Sequence, residues 1–191
     1  MNKKPYLLRV ALAALALTLL QACSQEEPTR QLTAGSDAPH WSGSDLLTGS
    51  TVEFPEVLDG KPAVLVFWAT WCPYCKAFMP YAKQIQADYA QHGVQTLSFN
   101  AKERGEGDPR AYLQSLDFPH LSIADADEIA ASYDVKFIPG LMVVDGAGTV
   151  IYRRGWTELP AGRTVAQQWS SEVRQALDSE LGLASPASSG P

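Results

Sequence analysis

The 191-residue sequence predicts one α/β domain built around a mixed sheet. Three observations carry that reading. The run Ala63-Val64-Leu65-Val66-Phe67-Trp68 is wholly apolar and too short for a helix, so it reads as a strand buried on both faces. Segments with helical spacing then alternate with further strand-like runs. Late in the chain, Asp145-Gly146-Ala147-Gly148 separates two apolar runs, a hairpin signal that adds antiparallel pairing to the sheet.

In chain order, the first residues read as an address rather than as fold. Lys3, Lys4 and Arg9 give a basic start, and residues 10–20 hold only Val, Ala, Leu and one Thr. That stretch is about half of the ~20 residues a membrane-crossing helix needs, and it fits a secretory signal. It ends in Leu20-Gln21-Ala22-Cys23, which resembles a bacterial lipobox, although a small residue usually stands where this chain has Gln21. The resemblance implies cleavage after residue 22 and acylation of Cys23; an ordinary cleaved signal with an unmodified Cys23 is the alternative. Ser24 in the next position points to the outer rather than the inner membrane. Residues 23–34 then form a polar tether, 35–183 the folded domain, and 184–191 a low-complexity tail read as disordered.

Within the domain, residues 73–92 carry Phe78, Ala82, Ile85 and Tyr89 at helical spacing, with Pro80 expected to kink the helix and Gly93 to end it. Residues 94–99 read as a strand. Asp108-Pro109 reads as a helix cap followed by proline in the first turn, opening a helix to about residue 116. A short helix is expected over 127–133, strands over 141–144 and 149–153, and a last amphipathic helix over 163–181 with Val165, Trp169, Val173, Ala176 and Leu177 along one side.

Composition limits the function. Apolar residues make up 46% and charged residues 19%, which is globular, and the formal charge of −6 makes a nucleic acid a poor partner. Removal of residues 1–22 takes away three basic residues and no acidic ones, lowering the charge to −9. Three Cys are too few for a disulfide-stapled scaffold or a four-thiolate zinc site.

The chemistry points to Trp71-Cys72-Pro73-Tyr74-Cys75-Lys76. Cys72 falls at the end of a buried strand and the start of a helix, where free backbone N–H groups and the helix dipole favour a thiolate. Cys75 lies one turn further in and should be better shielded. Cys72 is therefore the candidate nucleophile and Cys75 the resolving thiol of a disulfide-exchange reaction, with Pro73 stiffening the first turn. The competing readings are half of a zinc site and a purely structural disulfide. His40, His92 and His120 lack ligand spacing to the pair, and so short a loop gains little from cross-linking. No metal and no cofactor beyond the redox-active Cys72–Cys75 pair is expected.

The stretch Phe67-Trp68-Ala69-Thr70-Trp71-Cys72-Pro73-Tyr74-Cys75-Lys76 resembles the thioredoxin superfamily signature. With Gly35-Ser36-Asp37-Ala38-Pro39, Lys61-Pro62, Pro80, Phe137-Ile138-Pro139-Gly140 and Asp145-Gly146, the layout resembles the membrane-anchored TlpA/ResA-type thiol–disulfide oxidoreductases from about residue 35 to 155. That resemblance implies a thioredoxin-like fold, with a central mixed sheet flanked by helices and an N-terminal β-hairpin extension. It implies a cis Ile138–Pro139 bond facing the dithiol, with the backbone of Ile138 offered to an extended client peptide. Trp71 and Tyr74 would line the client surface, and Trp68 would be core.

The resemblance also implies a lipid-anchored reductase facing the periplasm, acting on client proteins that carry cysteines or disulfides and recharged by a membrane electron donor; apocytochrome c is one client it allows. An oxidase or isomerase would use the same chemistry at a different potential. A thiol peroxidase is disfavoured because Ala69 and Leu65 stand where peroxiredoxins place Thr and Pro, and a copper carrier needs a longer Cys spacing. The chain departs from the pattern at two places. Val66 replaces the buried Asp of thioredoxins, and Phe78 replaces the Glu that many ResA-type proteins carry. Proton transfer is left to water, Tyr74, Lys76 or an acid the sequence does not locate.

Overall fold

β3 (Ala63–Trp68) is the central strand, and the alternation of its side chains organises the rest. Ala63, Leu65 and Phe67 enter one apolar cluster and Val64, Val66 and Trp68 the other, so all six are fully buried. The computed structural model describes residues 32–105 and 107–183. The expected signal, Cys23, most of the tether and the tail lie outside the described residues.

On one side β3 pairs parallel with β4 (Gln95–Asn100), which pairs parallel with β5 (Leu121–Ile123). On the other side it pairs antiparallel with β6 (Gly140–Val144), which pairs antiparallel with β7 (Val150–Arg153). The sheet order is therefore β5-β4-β3-β6-β7. A separate two-stranded antiparallel sheet, β1 (Trp41–Ser44) and β2 (Thr51–Phe54), precedes it. This is the thioredoxin-like fold with its N-terminal hairpin.

Four helices complete the domain: α1 (Pro73–Asp88), α2 (Pro109–Ser115), α3 (Asp127–Ser132) and α4 (Val165–Glu180). α1 and α4 cover one face of the sheet through Phe78, Met79, Ile85, Trp169, Val173 and Leu177. The hairpin covers the other face. There Trp41 stacks on Phe54 at 5.6 Å and meets Phe99 edge-on at 5.2 Å, while Phe67 stacks on Phe99 at 4.5 Å. Tyr133 locks this layer: its hydroxyl accepts from the Trp41 indole N–H at 3.1 Å and donates to the Pro39 carbonyl at 3.1 Å.

Most expected elements are present within a residue or two of their expected bounds, and four departures have a physical reason. The helix expected over 73–92 runs through Pro80 but ends at Asp88, and a 3-10 turn (Ala90–His92) follows before Gly93 turns left-handed at φ 72°. β5 was not expected, because three residues interrupted by Ser122 carry too little pattern and the strand exists through its pairing with β4. Leu32, on the tether side of the expected boundary, is buried in the core, and the Gly35 N–H donates to the Val150 carbonyl at 2.8 Å. β7 begins one residue late, after a register shift between Val143 and Val144 in its β6 partner.

Candidate active site

Cys72 is the N-cap of α1 and Pro73 its first residue. The strand-to-helix turn places the Cys72 sulfur against the open end of the helix, where Sγ accepts the Cys75 N–H at 3.1 Å. The two cysteines are joined as a disulfide with a Cα–Cα distance of 5.3 Å. Both belong to the apolar cluster of β3, α1 and α4. The expected difference in shielding is absent: Cys72 is 2% and Cys75 1% exposed. In the closed disulfide ring the helix end and the surrounding apolar side chains cover both sulfurs. What separates the two is the N-cap position and the N–H directed at Cys72.

Trp71, Pro73 and Tyr74 flank this pair in sequence, and Ile138 packs against the apolar cluster that holds it. Pro73 is exposed, and Tyr74 is 58% exposed with its ring 6.4 Å from that of Trp169. The Ile138–Pro139 bond is cis; Pro139 is buried, and Ile138 is half-buried against both apolar clusters. The strand then continues with Gly140, where a Cβ would stand 2.8 Å from Val135 Cγ1 and 3.2 Å from Phe67 Cβ, so glycine permits β6 to approach β3. Trp71 is half-buried and packs against the cysteine cluster, and Trp68 is core, its indole N–H donating to Ser98 Oγ at 3.2 Å.

The sequence reading did not locate Glu103. Because β3 and β4 are parallel neighbours, Trp68 stands level with Asn100, and the loops after both strands emerge side by side. Glu103 reaches across this gap: one carboxylate oxygen accepts from the Thr70 N–H at 2.6 Å and the Asn100 amide at 2.7 Å, the other from the Thr70 hydroxyl at 2.6 Å. The Trp71 indole N–H donates to the Lys102 carbonyl at 2.7 Å, and the Arg104 guanidinium lies 3.5 Å from the centre of the Trp71 ring. At Gly107 a Cβ would stand 2.0 Å from Thr70 Oγ1, so only glycine lets this loop pass so close. The two residues ahead of Cys72 are thus held from the β4–α2 loop.

Among the described residues no group of His, Cys, Asp or Glu is arranged to hold a metal ion. Val66 and Phe78, the two departures from the family pattern noted in the sequence, are fully buried apolar side chains.

Residues 33–160 match the Redoxin family. The chain belongs to the Redoxin family. It is 30% identical over 157 residues to the thiol-disulfide oxidoreductase ResA of Bacillus thuringiensis strain Al Hakam, covering 79% of this chain and 88% of that protein. It is 29% identical over 165 residues to the thiol:disulfide interchange protein DsbE of Yersinia pestis, covering 84% and 82%. The solved structure of a DsbE-like protein from Chlorobium tepidum shares the fold, with a TM-score of 0.65 at 24% identity over 79% of this chain and 99% of that one. This Redoxin is a thiol–disulfide oxidoreductase of the ResA/DsbE type, and Cys72 and Cys75 form its close cysteine pair.

Proposed function

We propose that this Redoxin is a reductase of periplasmic client proteins, with Cys72 as nucleophile and Cys75 as resolving thiol. The observation that carries the roles is the Cys72 sulfur at the N-cap of α1, accepting the Cys75 N–H. That donor and the helix dipole stabilise an anion at Cys72 and nowhere else in the pair.

The Cys72 thiolate attacks a client disulfide; a mixed disulfide forms and one client sulfur leaves as a thiolate. The Cys75 thiolate then attacks Cys72 Sγ, closing the Cys72–Cys75 bond and releasing the second client sulfur. Two electrons pass from the dithiol to the client, and no further cofactor is needed. Trp71, Pro73, Tyr74, Ile138 and Pro139 are the client-facing supports, the Ile138 backbone serving as a short edge for an extended peptide. Turnover requires a reductant, and a membrane protein with its own dithiol fits an enzyme anchored through lipidated Cys23 on the periplasmic side of the envelope, at the outer membrane.

Thiol trapping in cells tests the direction. A reductase is held mostly in the dithiol form by its electron donor; a pair found mostly oxidised would make the protein a disulfide donor instead. The Cys75→Ser variant should accumulate mixed disulfides with clients, and recovering none would count against the assigned roles. Cys23→Ala should release the protein from the membrane fraction, and retention there would remove the lipid anchor.

A further inference from the structure

Large apolar side chains stand exposed at five described positions, among them Tyr74, two residues from Cys72, and Trp156. Tyr74 is 58% exposed, Phe137 78%, Trp156 95% and Leu159 53%; the fifth, Leu183, lies beyond α4. Scattered singly such residues need no explanation, but gathered on one rim they mark a contact surface.

Strand pairing brings the segment before Trp156 to the sheet end that leads toward Cys72. Met142 of β6 stands opposite Arg153 of β7, and the Arg154 N–H donates to the Leu141 carbonyl at 2.8 Å. β7 stops at Arg153, and Gly155 and Trp156 follow Arg154 beyond the end of the strand. On the opposite side Gly140 pairs with Phe67 of β3, the strand that leads into Cys72. β6 therefore lies between β3, which leads toward Cys72, and β7, which leads toward Trp156.

A buried indole ties the two flanks together. Trp169 of α4 is 4% exposed. Its N–H donates to Thr157 Oγ1 at 2.7 Å, its ring meets Tyr74 edge-on at 6.4 Å, and the Arg154 guanidinium lies 4.9 Å from its centre. The residue next to Trp156 is thus anchored to the same side chain that seats Tyr74. Trp156 is a presented side chain on a fixed support.

We propose that Trp156 selects clients by receiving a large apolar side chain from an extended, cysteine-bearing polypeptide segment. The proposal rests on the thiol-exchange reading above and deepens it. The ends of β3 and β7 are two strand spacings apart, about 10 Å, which an extended chain spans in about three residues. That spacing, about three residues, is taken as the distance along the client from its cysteine to the recognised side chain. Tryptophan suits the task because its large ring supplies contact area at little entropic cost.

The test uses the full chain, reduced, in single-turnover exchange with two synthetic disulfide peptides that differ only in Phe or Ser three residues from the reactive cysteine. The wild type should react about tenfold faster with the Phe peptide, the worth of ~1.4 kcal/mol. Trp156→Ala should bring that ratio close to one, and Trp156→Phe should restore most of it. A wild type without preference, or a ratio unchanged in Trp156→Ala, overturns the proposal. Exchange of the wild type with oxidised glutathione tests the underlying reading separately: absence of that reaction removes the thiol-exchange reading and the proposal with it.

Discussion

Glu103 and Thr70 are joined twice, the carboxylate accepting both the backbone N–H and the hydroxyl of Thr70 at 2.6 Å. The contact crosses between the loops that follow two parallel strands, and it holds the residue two places before Cys72. Glu103→Ala leaves the Thr70 N–H and the Asn100 amide without their acceptor. Loss of such charge-assisted bonds costs about 1–3 kcal/mol, to be measured by denaturant unfolding. Because Trp71 and Cys72 follow directly, the same variant should also change the reaction rate of Cys72 with an alkylating agent. An unchanged rate with lowered stability would confine Glu103 to a purely structural part.

The hairpin layer depends on one hydroxyl. Tyr133→Phe keeps the ring against Phe67 and Phe99 but leaves the Trp41 indole N–H and the Pro39 carbonyl unpaired. The variant should lose about 1–3 kcal/mol of stability, while the Cys72–Cys75 exchange rate stays near that of the wild type. A loss below a few tenths of a kcal/mol would show that water replaces the hydroxyl.

His120 makes stability depend on pH. It stacks on Phe118 at 4.2 Å, its Nε2 lies 3.0 Å from Ser98 Oγ, and its Nδ1 lies 2.8 Å from the Phe118 carbonyl. Burial holds its pKa below 6.5, with the Phe118 carbonyl and the Asp45 charge opposing less strongly. The folded state thus prefers neutral His120, and the unfolded state takes up the proton first. The contribution is complete above about pH 6.5 and is lost as the pH falls below it. Unfolding curves between pH 7.5 and 5 should show this slope in the wild type and a weaker one in His120→Gln; equal slopes would exclude His120 as the cause.

Much of this was legible in the sequence, for physical reasons. β3 announced itself because a strand buried on both faces must be apolar throughout, and α1 because its stripe of Phe78, Ala82 and Ile85 repeats at the helical period. The dithiol was legible because its chemistry needs two cysteines three residues apart at a helix start. β5 was not, since a three-residue strand is defined by its neighbour rather than by its own pattern. Glu103 and Trp156 were missed for a related reason. Strand order and direction bring the segments that follow β4 and β7, some 30 and 80 positions from Cys72, to the same end of the sheet. The sequence did contain one usable signal: parallel neighbouring strands release their following loops side by side, so an acid just after the strand at 95–100 was a candidate once that pairing was assumed.

The account rests on an easily formed thiolate at Cys72, and its pKa tests that most directly. The opposing effects are known: the helix N-terminus and the Cys75 N–H favour the anion, and the apolar cluster around a sulfur that is 2% exposed disfavours it. In the reduced Cys75→Ser protein, the rate of Cys72 alkylation should be followed as a function of pH. The account predicts a midpoint clearly below the ordinary cysteine value of about 8.5. A midpoint at or above that value would contradict it.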